Sequence, residues 1–105
     1  MSENVLQEAD QLTSKDRMES YDHPLPNHER IAALWNAYLT GRPDQLLPLA
    51  PDEICHMMIL VKLSRDMFCP KRDNLVDIAG YARCIERIRE ESDGEEKIDD
   101  LIIAG

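Results

Sequence analysis

No apolar run in this chain approaches the roughly 18 residues that a membrane-spanning helix needs. Met57 to Val61, a run that no other exceeds, makes about a turn and a half of helix. Cations are scarce as well: 12 lysines and arginines stand against 21 acids, a formal net charge of −9. So acidic a surface opposes a phosphate backbone, and nucleic acid is not expected as a partner. A small phosphorylated ligand stays open, because a metal ion can supply the positive charge. The three cysteines, Cys55, Cys69 and Cys84, lack CxxC spacing. They read as reduced, mostly buried thiols, and structural zinc is not expected. There is no glycine-rich phosphate loop, no internal repeat and no strand pattern. The first residues, MSENVLQEAD, are acidic and polar, unlike a signal peptide. A soluble cytoplasmic protein without a membrane partner is the expectation.

At 105 residues the chain is long enough for one domain with a modest core. We expect one helical domain over residues 1–92 and an acidic, mobile tail over 93–105. So small a core makes a homo-oligomer the expected state.

Helical periodicity then organises the chain. Val5, Leu6, Ala9 and Leu12 predict a first, loosely packed helix over 3–20. Pro24 and Pro26 predict an extended stretch, with Asn27 as the cap of a second helix over 28–40. Its stripe is Ile31, Leu34, Trp35, Tyr38 and Leu39, and Gly41 is its stop. Residues 42–50 hold three leucines and predict a loop packed down as a lid. Pro51, Asp52 and Glu53 suit the first turn of a third helix, 51–68, which is apolar nearly all round and therefore central. His56 on it is expected to be a hydrogen-bonded core or interface histidine. Asp73 caps a last helix, 74–91, with Leu75, Ile78, Ala82 and Ile85 as its stripe. The fold class is all-α, a four-helix bundle.

Chemistry concentrates around Lys62 to Tyr81. Lys62 and Arg65 stand late in the central helix; Asp73 and Asp77 open the last one, four residues apart. A hairpin turning near residue 71 sets Arg65 opposite Asp77 and Lys62 near Gly80. One reading is a salt bridge that ties the hairpin. The other is that Asp73 and Asp77 ligate Mg²⁺ while Lys62 and Arg65 hold phosphate oxygens. Gly80 inside a helix either permits close packing, the favoured reading, or leaves room for a ligand. A second candidate is the proline-held loop with Tyr21, Asn27, His28 and Glu29. Tyr21, Asn27 or His28 would contact the base or sugar of a nucleotide. His28 and Glu29 are competent to complete a metal shell. The bland alternative is a solvated surface cap.

The segments YDHPLPNHERIAALWNAYL (21–39), EICHMMILVKLSRD (53–66) and DNLVDIAGYA (73–82) together resemble a small phage and prophage family of uncharacterised proteins. That resemblance spans about residues 17–83. Asp22 and His23 stand where that family usually has glycine and aspartate. More distantly, the layout resembles the MazG-like all-alpha nucleotide pyrophosphohydrolases. That likeness implies a helical bundle binding Mg²⁺ through acidic residues and cleaving nucleoside triphosphates. Only Asn74-x-x-Asp77 echoes their second motif, and their Glu-Glu-x-x-Glu is absent from the central helix. Two functions follow as expectations. One is a MazG-like nucleotide-binding protein or pyrophosphohydrolase using a divalent metal. The other is a non-catalytic helical phage accessory protein that binds a protein partner.

Overall fold

Caps and prolines decide where each helix starts. The computed structural model describes residues 4–14 and 23–104, with side chains as far as Ser92. Among these residues it is all-helical, with four helices and no strand: α1 (Val5–Thr13), α2 (Pro24–Thr40), α3 (Pro51–Phe68) and α4 (Arg72–Ala104).

In α1 a reciprocal cap closes the first turn. Asn4 Oδ1 accepts from the Gln7 N–H at 2.8 Å, and the Gln7 side chain accepts from the Asn4 N–H at 3.0 Å. The helix ends at Thr13, short of the expected residue 20; residues 15–20 lie outside the described part. It buries none of its residues, and Val5 and Leu6 are each 80 % exposed. The packed unit is therefore α2, α3 and α4 rather than four helices.

The α2 boundary corrects the expectation of an extended stretch. The helix begins at Pro24, with His23 as N-cap accepting from the Leu25 N–H at 3.2 Å. Both prolines fall in the first turn, where backbone N–H groups have no intrahelical acceptor, so their missing donors are not felt. Asn27 is thereby inside the helix and not its cap.

α3 lies centrally, in contact with both α2 and α4. Glu53 reaches back to the Ala50 N–H at 2.8 Å, half of a capping box whose other half alanine cannot supply. On the α2 side, the Trp35 indole donates to the Met57 carbonyl at 2.9 Å. The loop between α2 and α3 does not fold down as a lid. Leu46 is 95 % exposed, and Arg42 shapes the loop instead.

α4 runs 33 residues, on the order of 50 Å, rather than ending near residue 91. No proline interrupts it, and Gly94 alone costs only about 1 kcal/mol. Arg89 approaches Asp52 (3.4 Å) at the far end of α3, so α4 extends past the hairpin. The buried apolar core is Ile31, Met57, Val61 and Ile85. No helix among the described residues is long and apolar enough to cross a membrane.

Candidate functional site

The α3–α4 turn is pinned by side chains. Cys69 leaves helical geometry, and Pro70 removes the next donor. Asp66 then does the work expected of Asp73. Its Oδ1 accepts from the Lys71 N–H at 3.0 Å and from Asn74 Nδ2 at 3.2 Å. Asn74 is only 5 % exposed and also donates to the Cys69 carbonyl at 3.5 Å. Asp73 is not the cap; it stands exposed in the first turn, where a carboxylate suits the helix dipole.

This turn sets the register of the hairpin. Lys62 Nζ meets Asp77 Oδ2 at 3.1 Å. The expected partner of Asp77 was Arg65, one turn nearer the loop. The lysine side chain is 16 % exposed and the aspartate 46 %. Beside them opens a cleft of about 400 Å³, lined by Lys62, Val76, Asp77, Gly80, Tyr81 and Cys84. A Cβ placed on Gly80 would meet nothing within 4 Å. The close-packing reading of Gly80 is therefore corrected: this glycine faces open space in the cleft. Cys84 is exposed rather than buried; all three thiols are free.

The other expected ligand residues do not converge there. Asn27 is 6 % exposed, and its Oδ1 accepts from the Ser64 hydroxyl at 3.1 Å. Ser64 itself is completely buried. This pair fastens α2 to α3 and is structural. His28 bonds back to the Pro24 carbonyl at 2.6 Å on the exposed side of α2, and Glu29 is exposed. Arg65 is half-buried, and the Arg30 guanidinium lies 5.9 Å from the Phe68 ring centre. Tyr21 lies outside the described residues. Among the described residues no group of three or more His, Cys, Asp and Glu is placed to hold a metal ion. Asp73 and Asp77 remain a pair one helical turn apart on α4. That donor set fits Mg²⁺ of the kind held by one or two carboxylates plus substrate phosphates, not an all-protein cage.

A second polar cluster, at the α2–α3 corner, escaped sequence reasoning. Arg42 pairs with Glu53 through two bonds, Nε to Oε2 at 2.5 Å and Nη2 to Oε1 at 3.0 Å. It also donates to the carbonyls of Leu47 and Pro48 at 3.0 and 3.1 Å. The Ala50 N–H, then the Arg42 guanidinium, hold the Glu53 carboxyl below its ordinary pKa. Next to it Tyr38 OH and His56 Nδ1 share a hydrogen bond of 2.8 Å, the rings edge-on. Burial, then the charges of Glu53 and Asp52, push the Tyr38 phenol up. The hydrogen-bonded role expected of His56 is what is found. The sequence signal for the buried polar pairs was available: Ser64 continues the Met57–Val61 stripe, and a polar residue on a buried stripe requires a partner.

With the geometry in hand, relatives can be placed. The profile described as "Domain of unknown function (DUF6378)" matches residues 4–89. The chain belongs to this family. It is 38 % identical over 92 residues to the Gene 55 protein of Mycobacterium phage D29, covering 87 % of this chain and 57 % of that protein. The Gene 55 protein of Mycobacterium phage L5 is 37 % identical over 87 residues, with 82 % and 53 % covered. The chain thus spans little more than half the length of these relatives. No solved structure matches it. The phage resemblance of the sequence is borne out by these relatives at the level of an uncharacterised phage family.

Proposed function

We propose that this DUF6378 chain is a nucleotide-binding phage protein, MazG-like in its helical layout, that works as a homo-oligomer and takes phosphates in the Lys62 cleft. The observation that carries the reading is Gly80. A glycine inside a helix is unfavourable by about 1 kcal/mol relative to alanine, and here no packing contact requires it. Gly80 lines the cleft with Lys62 and Tyr81, and its missing side chain leaves that stretch of the wall bare. The cleft's size is in the range of small-molecule sites. Lys62 is a donor for phosphate oxygens, and Tyr81 gives a ring edge or face to a base. Asp77, with Asp73 one turn earlier, would hold Mg²⁺ that shares its remaining positions with the phosphates. That ion, when bound, supplies charge neutralisation at the phosphates and, in a pyrophosphohydrolase, activation of water. Arg65 is a second phosphate donor near the same turn. The homo-oligomer is supported by a core that, among the described residues, holds four buried apolar side chains.

Thermal shift with a deoxynucleoside triphosphate, with and without Mg²⁺, tests this reading. The melting temperature should rise by mass action with wild type and not with Lys62→Met. Pyrophosphate release would add the hydrolase activity to binding.

A second reading is a non-catalytic accessory protein that binds a protein partner. It is favoured by the lack of any three-carboxylate cluster among the described residues and of a Glu-Glu-x-x-Glu on α3. No nucleotide shift at any Mg²⁺ concentration would select it.

A further inference from the structure

We infer that the Lys62–Asp77 ion pair is a latch across the cleft, one that yields to a phosphate ester and a divalent cation together and resists either alone. The inference rests on the cleft reading above and adds to it how the site is loaded.

Of the residues that line the cleft, Lys62 alone carries a cation and Asp77 alone a carboxylate. Without ligand these two charges are spent on each other, Nζ to Oδ2 at 3.1 Å. The group that would hold a phosphate is thus occupied by the group that would hold a metal ion. The two arms of the latch differ in freedom. The Lys62 side chain is 16 % exposed, which keeps its ammonium beside the cleft, whereas that of Asp77 is 46 % exposed. Gly80 follows Asp77 by three residues, on the same face of α4. A Cβ placed there would meet nothing within 4 Å. The flank of Asp77 is therefore open, and its carboxylate is the arm with room to swing.

Charge then sets how the cleft loads. A phosphate that takes Lys62 alone leaves the displaced Asp77 as a like charge at its side. A divalent cation that takes Asp77 alone leaves Lys62 in the same position. Each ligand by itself binds against the lost pair and against a new repulsion. When both arrive, Asp77 keeps a cation and Lys62 keeps an anion. By linkage each ligand then raises the affinity of the other by one and the same factor. A half-exposed pair resists opening by up to about fivefold, and the like charge adds to that.

The distinctive consequence is that removing one arm should improve binding of the ligand that belongs to the other. Isothermal titration of the full chain tests it, with dATP in a metal chelator and with MgCl₂ in the absence of nucleotide. Asp77→Asn should bind metal-free dATP about threefold or more tighter than wild type. Asp73→Asn, an acid one turn earlier that does not line the cleft, should leave that affinity unchanged. Lys62→Met should bind Mg²⁺ alone about threefold or more tighter than wild type. With both ligands present, wild type should bind more tightly than either arm variant. The single-ligand titrations decide, because Mg²⁺ and dATP also combine in solution. No gain in Asp77→Asn, an equal gain in Asp73→Asn, or no gain in Lys62→Met would overturn the latch and leave the cleft as a site. Should one arm variant fail to fold, the other decides alone. A wild type that binds no dATP even with Mg²⁺ would overturn the cleft reading, and the latch with it.

Discussion

Changing Gly80 to alanine separates what this residue costs the fold from what it gives the site. Alanine is the better helix former by about 0.8–1.0 kcal/mol, and its Cβ would meet nothing within 4 Å. The full propensity gain should therefore be realised, with no clash to set against it. For a chain this short, a gain of that size raises the melting temperature by about 4–8 °C. Circular dichroism melts of Gly80→Ala and wild type at equal protein concentration measure it. Gly80→Val adds a branched side chain between Lys62 and Tyr81. It should keep the helix but occlude the cleft, so the melting-temperature rise produced by nucleotide and Mg²⁺ should be lost. A stabilised Gly80→Ala with an intact fold and a ligand-blind Gly80→Val is the pattern of a site glycine. A melting temperature that falls in Gly80→Ala would mean that something packs against this position, and the cleft reading would then fail. Retained nucleotide response in Gly80→Val would move the ligand elsewhere.

Three other outcomes follow from the contacts described. Ser64→Ala should destabilise by about 1–3 kcal/mol, since it leaves the buried Asn27 carbonyl oxygen without its donor. Urea titration at fixed protein concentration reads it. Combining it with Asn27→Ala should show coupling of at least about 0.5 kcal/mol, and strict additivity would refute the tie between α2 and α3. Asp77→Asn should cost only about 0–1 kcal/mol in the absence of ligand, because the carboxylate is half-exposed and Lys62 can extend to water. A loss of about 3–5 kcal/mol would instead mark a fully buried ion pair. Stability should also fall at both ends of the pH range. Glu53 titrates below its ordinary 4.5, so its contribution is complete above that value and is lost as pH falls through the lowered one. Tyr38 titrates above its ordinary 10.0, so its contribution is complete below 10.0 and is lost as pH rises beyond it. Melting temperature against pH should lose part of its acid limb in Glu53→Gln and part of its alkaline limb in Tyr38→Phe.

Much of the fold was legible because its signals are local. The stripe of α2, the apolar α3 and the Pro70 break each depend on residues within a few turns, and each placed its element. The errors arose where a residue type has two meanings. Proline reads as a breaker, yet Pro24 and Pro26 sit where a helix has no use for the donors they lack. The last helix reads as ending near residue 91, yet no residue just beyond forbids its continuing. Leu46, Leu47 and Leu49 read as a packed lid because leucine usually finds cover. Here Arg42, bonded to two carbonyls and Glu53, fixes the loop in a shape that leaves those leucines outside.

The ion pair across the α3–α4 hairpin was legible in its candidate partners and not in its pairing, for a physical reason. Spacing says that Lys62 and Arg65 approach Asp73 and Asp77, but which cation meets which acid depends on how tightly the chain turns between them. Asp66 and Asn74 decide that. By gathering the Lys71 N–H and the Cys69 carbonyl into one half-buried cluster, they tighten the turn ahead of α4, which starts at Arg72. Asp77 is thereby carried one turn further along α3, from Arg65 to Lys62. Gly80, expected near Lys62, lines the cleft with it and with Tyr81. The polar residues that determine the register lie outside that cleft. Asn74→Leu should accordingly loosen the turn and weaken the Lys62–Asp77 pairing without touching either residue. Coupling between Lys62→Met and Asp77→Asn, measured with Asn74 intact and with Asn74→Leu, would show it. If that coupling were the same in both backgrounds, the turn would not be what aligns the site.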